Sequence, residues 1–226
     1  MRRLLAIVVA AVTAISAGAQ GKLWMDESLV LGYNRSWGLY DWDDTVVGFD
    51  LPSFGFRGGL RLTDGAMAAE LGAHWFYRLN DGHRVGLEAF GTWSSLSQYN
   101  ITEFNTGALA LWSWKERVKV KAGSFFKWLV PFGGGGAVSE PFNFAYSVSF
   151  WALAPERTFN FGASLSNLDY FAAERFYCPY LTLRFRYSVY DNCQVYLNLR
   201  EHSSGTFDLT SNFFDHQVRI GTIVSW

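Results

Sequence analysis

Hydrophobic and polar residues alternate along most of the chain with a period of two residues. A strand places successive side chains on opposite faces, so this spacing gives each segment one apolar and one polar face. Clear examples are Ser53 to Thr63, Ala69 to Arg78 and His83 to Ser95, with turn signals such as Asn80-Asp81-Gly82 between them. The pattern predicts an all-β chain of consecutive antiparallel strands.

The alternation continues to the last residue of the chain. One face of the final segment is mainly apolar and closes with an aromatic residue: Val218, Ile220, Thr222, Val224 and Trp226. In this respect the chain resembles bacterial outer-membrane β-barrel proteins, whose C-terminal strand has apolar residues at every second position and ends in an aromatic. The resemblance implies a closed transmembrane barrel surrounded by outer-membrane lipid. It also implies that the barrel-assembly machinery recognises the strand ending at Trp226.

The N-terminal residues have the features of a secretory signal peptide. Two arginines precede an apolar stretch from Leu4 to Ile15, and Ala17 and Ala19 have the spacing that a signal peptidase reads. The apolar stretch is too short for a comfortable transmembrane helix. We therefore expect residues 1–19 to be a cleaved signal peptide and residues 20–226 to form one outer-membrane barrel domain.

The predicted number of strands is twelve. Ten alternating segments lie between Ser53 and the chain end, and two more, Ser28 to Trp37 and Thr45 to Leu51, lie upstream on either side of an acidic stretch from Asp41 to Asp44. Two alternatives stay open: ten strands with residues 20–52 folded inside as a plug, and eight strands. The short turns are expected at the end of the barrel where the chain ends, with the longer connections outside at the other end.

Composition agrees with an apolar exterior. Aromatic residues make up 18% of the chain and charged residues only 17%, below the roughly 25% charged residues of ordinary soluble domains. The aromatics also group near the two ends of the predicted strands, as membrane girdles do. A soluble barrel with its apolar face inside is the alternative. The nearly balanced 19 basic and 20 acidic residues predict no nucleic-acid partner.

Basic residues are concentrated on the polar faces of the predicted strands. Eleven are in register with those faces: Arg57, Arg61, Arg78, Arg84, Lys119, Lys121, Lys127, Arg184, Arg186, Arg200 and Arg219. A Lys or Arg on the lipid face at the bilayer midplane costs roughly 2–4 kcal/mol, so eleven outward bases would cancel the stability of a typical domain. We therefore predict that they line the lumen and bind anions. Only Glu70, Glu88 and Asp215 are acidic on these faces, which predicts a strongly basic interior.

A basic lumen favours a small channel for small anionic solutes, such as acidic sugars or organic acids. A closed structural or adhesive barrel is the first alternative, because charged networks can also fill the interior of a small barrel. A lipid hydrolase is the second, because His202 and Ser204 share one strand face beside Glu201. His202 is in phase with inward residues, whereas a lipid substrate would lie outside. We therefore expect no enzymatic activity.

The two cysteines, Cys178 and Cys193, could form a disulfide in an oxidising compartment. They are predicted to lie near opposite ends of one hairpin, farther apart than the roughly 7 Å between Cα atoms that a disulfide tolerates. We expect both thiols to stay free. The sequence has no Cys/His spacing typical of a metal site, and no cofactor is expected.

Overall fold

The computed structural model describes residues 21–63, 66–80, 82–96, 100–133, 135–203, 205 and 213–226. The predicted signal peptide lies outside these ranges, as do Asp81, Gly134 and Ser204. In the described ranges, each strand pairs antiparallel with its neighbours in sequence, and the first strand pairs with the twelfth to close one barrel. The predicted closed barrel of twelve strands is confirmed, and the alternatives of ten and eight strands are wrong.

The strands share the alternating pattern described above and have these bounds: β1 Lys22–Asn34, β2 Gly38–Asp50, β3 Phe54–Thr63, β4 Ala66–Asn80, β5 His83–Leu96, β6 Ile101–Trp114, β7 Val118–Pro131, β8 Val138–Trp151, β9 Phe159–Ser166, β10 Tyr180–Tyr190, β11 Cys193–Ser203 and β12 Phe213–Ser225. Across the same residues, no helix is long and apolar enough to cross a membrane.

The first two strands differ from the prediction in their bounds. β1 begins at Lys22 rather than Ser28 and ends before Arg35, and β2 begins at Gly38 rather than Thr45. The acidic stretch from Asp41 to Asp44 therefore belongs to β2 instead of separating two strands. Its alternation is hard to see in the sequence because aromatic and acidic side chains share the inner face of β2.

Apolar side chains cover the outside of the barrel and polar side chains face its interior. On β4, Leu71 is 73% exposed and its neighbour Glu70 only 3%; on β12, Ile220 is 55% exposed and Arg219 7%. This is the predicted direction for both faces. An exterior with so many exposed apolar side chains needs hydrocarbon rather than water around it.

The four turns predicted to lie on one side, between β4 and β5, β6 and β7, β8 and β9, and β10 and β11, share one end of the barrel with both Lys22 and Trp226, and we call this the short-turn end. The β1–β2 connection, residues 35–37, is also short but lies at the other end. The β6–β7 turn shows how tight these connections are. Lys115 and Glu116 have φ angles of 47° and 56°, and the Arg117 N–H donates to the Trp114 carbonyl over 2.9 Å. Positive φ at both central residues is the type I′ geometry that matches the twist of paired strands.

The β9–β10 connection folds into the barrel, whereas the prediction placed the longer connections outside. We call residues 167–173 the inserted segment. The segment turns back on itself through a β-bridge between Leu168 and Ala173 and a hydrogen bond of 2.9 Å from the Asp169 N–H to the Ala172 carbonyl. It enters from the end opposite the short turns, because β9 ends there and β10 begins there.

The inserted segment supplies one side of each of two apolar clusters inside the barrel. Phe171 is 2% exposed and packs with Val46 of β2 and Ala68 of β4. On the opposite side, Ala173 is fully buried in a second cluster whose buried members come from β6, β7 and β8: Leu109, Phe125 and Ala145. The segment therefore reaches both sides of the bore.

Polar groups also anchor the inserted segment. The side chain of the buried Asn167 donates to the Phe144 carbonyl over 2.8 Å and accepts from the Tyr146 N–H over 2.7 Å. The Asp169 carboxylate lies 2.9 Å from Arg61 of β3 and 3.1 Å from Arg200 of β11. A buried charge is tolerated only with partners of this kind, so these contacts fix the segment to the barrel wall.

Cys178 and Cys193 are free and lie at opposite ends of the β10–β11 hairpin. Cys178 precedes β10 near the long connections, whereas Cys193 begins β11 at the short-turn end. Burial raises the pKa of the Cys178 thiol.

A first prediction tests the direction of the apolar face. Leu71→Arg, near the middle of β4, is expected to lower the free energy of unfolding in lipid vesicles by about 2–4 kcal/mol, because a charge is expensive at the bilayer midplane. Leu79→Arg is the matched control, since it lies on the same face near the short-turn end and is expected to cost about 0–1 kcal/mol. Equal costs for both variants in a urea titration would contradict a membrane-spanning exterior.

A second prediction tests the anchoring of the inserted segment. Asp169→Asn is expected to lower the free energy of unfolding by about 3–5 kcal/mol, because it leaves the buried Arg200 without a carboxylate. Arg61 also loses one partner but keeps its pair with Asp44. Glu140→Gln is the control, because it breaks an ion pair with the more exposed Arg175, where the expected cost is about 0–1 kcal/mol. The hydrogen bond from Arg175 to Glu140 raises the Arg175 pKa above its ordinary value. If Glu140→Gln lowers the free energy of unfolding as much as Asp169→Asn does, the buried Asp169 carboxylate has no special role in stability.

Candidate anion site in the barrel lumen

A cavity of about 630 Å³ lies between the inserted segment and the short-turn end of the barrel. Leu168, Asp169 and Tyr170 of the segment form its inner end, and Glu116 and Pro155 of the short turns lie at its mouth. Inward side chains of the strands form the wall between them. The cavity is therefore the part of the lumen that the inserted segment leaves unfilled on this side.

Eight of the eleven bases that we predicted to line the lumen face this cavity: Arg57, Arg84, Lys119, Lys121, Arg184, Arg186, Arg200 and Arg219. The other three lie elsewhere. Arg61 is mostly buried beside the inserted segment, and Lys127 is buried 3.1 Å from Glu103. Arg78 is exposed at the short-turn end, in a groove with Lys115. The role of these bases in binding anions stays a prediction.

The lumen contains more acidic residues than the sequence suggested. Six of them line the same cavity as the eight bases: Asp26, Asp50, Glu70, Glu88, Glu116 and Asp169. The prediction missed Asp26 and Asp50 because it did not place either on an inner strand face, and Asp169 because it treated the β9–β10 connection as an outer loop. The prediction of eleven basic against three acidic residues therefore overestimated the positive charge of the interior, since the cavity has eight basic and six acidic residues.

Most of the cavity bases bind carboxylates. Arg57 bridges Glu70 and Glu88 at 3.0 Å each, and Lys121 lies 2.6 Å from Glu88. Further pairs join other parts of the chain in the same way: Arg84–Glu116, Arg200–Asp169 and Arg219–Asp44. Arg84 and Glu116 are exposed at the short-turn end. For the other pairs, pairing offsets the cost of burying each charge, so they form a structural network inside the barrel.

Three cavity bases have no carboxylate within ion-pair distance among the residues that the structure describes: Lys119, Arg184 and Arg186. They lie on β7 and β10, and the two strands between them carry hydroxyl groups. Lys119 is in register with Ser149, which is in register with Ser164 of β9. We call this surface, which also includes Trp151, the β7–β10 wall. Within the described ranges, none of the cavity-lining side chains of β7, β8, β9 and β10 is a carboxylate.

Trp151 holds the two arginines of the wall in place. The guanidinium carbons of Arg184 and Arg186 lie 4.4 and 4.9 Å from the centre of the indole ring, within the range of cation–π attraction. Arg186 also donates to the Pro155 carbonyl over 3.2 Å. Trp151 was not among the predicted site residues, although the sequence carries a signal for it. It continues the spacing of Ser147 and Ser149, which puts an aromatic side chain on a polar face.

His202 faces the interior, as its phase along β11 predicted. It is 6% exposed and stacks on Tyr180 with ring centres 4.1 Å apart, while the ring centre of Phe214 lies 4.5 Å away. Ser204 lies outside the described residues, and Glu201 binds His216 rather than His202. The described residues also include no cluster of three His, Cys, Asp or Glu side chains that could hold a metal ion.

Comparison with known proteins gives matches among solved structures alone. No family model matches the chain, and no curated protein matches it. A structure of KdgM porin in complex with disordered oligogalacturonate is 10% identical with a TM-score of 0.59, covering 90% of this chain and 99% of that one. The NanC porin is 10% identical with a TM-score of 0.54, covering 88% and 98%.

An enzyme has a similar fold as well. Outer membrane phospholipase A from Escherichia coli is 8% identical with a TM-score of 0.51, and the match covers 88% of this chain and 89% of the phospholipase. Likeness at such low identity concerns the backbone arrangement and not the activity. Together with the closed ring of twelve strands, these matches show that the chain has the β-barrel fold of bacterial outer-membrane proteins.

Proposed function

We propose that the chain is a small channel of the bacterial outer membrane, exported with a cleaved signal peptide, that passes small anionic solutes. The observation that carries this proposal is the β7–β10 wall, where Lys119, Arg184 and Arg186 face the cavity without carboxylate partners among the described residues. The apolar exterior supports lipid as the surrounding partner. The alternating final strand and Trp226 support delivery by the barrel-assembly machinery.

Unpaired bases in a confined space favour anions for an electrostatic reason. The cavity has eight basic and six acidic residues, and most of the acids are already bound to particular arginines and lysines. The remaining positive potential is concentrated on one wall. Narrow, low-dielectric surroundings strengthen such a potential, which concentrates anions and repels cations.

The inserted segment limits the size of any solute that passes. It contacts β2 and β4 through Phe171 and β6, β7 and β8 near Ala173, so the path beyond the cavity runs beside it or requires it to shift. We therefore propose a low conductance and a preference for compact solutes over long polymers.

The packing of the inserted segment also favours one alternative, a closed structural or adhesive barrel. In that case the cavity would end at the segment and no current would flow. The lipid hydrolase alternative has less support, because His202 is packed between aromatic rings inside the barrel, away from lipid. We propose no chemical reaction for this chain.

A third prediction tests the anion preference. In a planar bilayer with a KCl gradient, the current through the refolded chain is expected to reverse its direction near the chloride equilibrium potential. The double variant Lys119→Gln/Arg186→Gln should shift the reversal potential toward zero, because it removes two of the three unpaired charges. Arg157→Gln is the control, since Arg157 is an exposed base in the β8–β9 turn at the same end. Cation preference, or no current above background, would overturn the proposed channel.

A fourth prediction concerns the size of the current. Asp169→Asn loosens the inserted segment, so its single-channel conductance is expected to exceed that of the original chain. Glu140→Gln again serves as the control, because its ion pair lies outside the segment. Unchanged conductance in Asp169→Asn, in bilayers where the original chain conducts, would show that the segment does not limit the path.

A further inference from the structure

Arg184 has an unused edge that is suited to one kind of ligand. Its Nε and Nη2 atoms are buried and make no hydrogen bond within the described chain, and the same is true of Arg186 Nε. The Nε–H and the Nη2–H of a guanidinium point in the same direction and can donate to two oxygens of one oxyanion. Buried donors without partners are rare in native proteins, because each one costs free energy.

The side chain of Arg184 is held in this position by its surroundings. Its guanidinium lies on the Trp151 ring. Gly162 of β9 pairs with Trp151 of β8 on one side and with Arg184 of β10 on the other, so it lies between them in the sheet. A Cβ at Gly162 would clash with the Phe150 carbonyl oxygen and come within 3.0 Å of the indole ring, so glycine lets both the β8 backbone and the ring lie close to β9. A donor pair that is fixed before binding loses little conformational freedom when a ligand arrives.

The neighbours of Arg184 supply further positive charge and further donors. Lys119 and Arg186 carry positive charge and line the same cavity as Arg184. Ser149 and Ser164 lie between the strands of these bases and line the same cavity. An anion at this position would therefore meet a guanidinium edge, an ammonium group and hydroxyl donors.

We propose that the β7–β10 wall binds a phosphoryl group, as inorganic phosphate or as part of a small phosphate ester. The Arg184 edge takes two of its oxygens, and Lys119 and the serine hydroxyls take the others. A doubly charged group offsets more of the repulsion among three unpaired bases than a carboxylate or a chloride ion does. A tetrahedral group also offers oxygens outside the plane of the guanidinium, which a planar carboxylate lacks.

This inference rests on the proposed function, because the site lies in the lumen that anions would cross, but its test does not need a current. The full chain, refolded in detergent, is titrated calorimetrically at about pH 8, where a phosphoryl group carries close to two negative charges. The probes are inorganic phosphate, glycerol 3-phosphate and acetate. Acetate is expected to bind at least about tenfold more weakly than either phosphate, since it offers fewer charge-assisted hydrogen bonds.

Arg184→Lys is the decisive variant, because it keeps the positive charge and removes the paired donors. We expect its affinity for phosphate to fall by at least about tenfold, the effect of losing one charge-assisted hydrogen bond. Arg157→Lys is the matched control in an exposed turn and should bind like the original chain. Circular dichroism and the heat-dependent gel shift of the refolded barrel show whether each variant is folded.

Each outcome decides the proposal. The proposal is supported if phosphate binds tightly to the original chain and more weakly to Arg184→Lys. If inorganic phosphate binds and glycerol 3-phosphate does not, the site takes the free ion; if both bind, the site also takes phosphate esters. No phosphate binding, equal binding of acetate, or full affinity in Arg184→Lys overturns it. A barrel that binds phosphate but passes no current would overturn the channel and leave this site intact.

Discussion

The structure depends on the cost of removing charge from water. The exterior of the barrel is apolar, so the strands carry their charged side chains inward, where most of them bind a partner of opposite charge. This requirement explains why arginines and carboxylates on different strands bind each other across the lumen, as Arg57 does with Glu70 and Glu88. The inserted segment follows the same rule, because Asp169 occupies the centre of a group of arginines that would otherwise repel one another.

Much of this fold could be predicted from the sequence because a strand exposes its two faces to different surroundings. Strand number and the direction of the bases follow from the two-residue alternation, and the common end of four turns follows from the turn signals between the segments. β1 and β2 were predicted with wrong bounds because the inner face of β2 mixes Trp42 and Val46 with Asp44, which hides the period. The insertion of residues 167–173 could not be predicted from alternation, since it depends on contacts with strands far away in the sequence. A signal was nevertheless present, because Leu168, Tyr170 and Phe171 are too apolar for a connection in water.

The predicted site was only partly visible for a related reason. Positions on strand faces identify which bases point inward, and eight of the eleven line the cavity. They do not show which of these bases are paired, because a pair such as Arg61 and Asp169 joins residues that are 108 positions apart. Among the described cavity residues, positive charge without a carboxylate partner is therefore confined to one wall and is not spread through the whole lumen. That wall differs from its surroundings by the absence of carboxylates among the described cavity-lining residues of β7–β10, a feature of the folded ring and not of any single segment.

The contacts of the inserted segment also constrain the order in which the molecule can assemble. Residues 167–173 follow β9 in the chain, yet their partners lie on β2, β3 and β4 and on β11, which comes later. These contacts can form only when the early and late parts of the chain have come together around the segment. Contacts between residues distant in sequence are slow to form because of the entropy of closing long loops. Ring closure between β1 and β12 and consolidation of the interior should accordingly occur as one late, cooperative event.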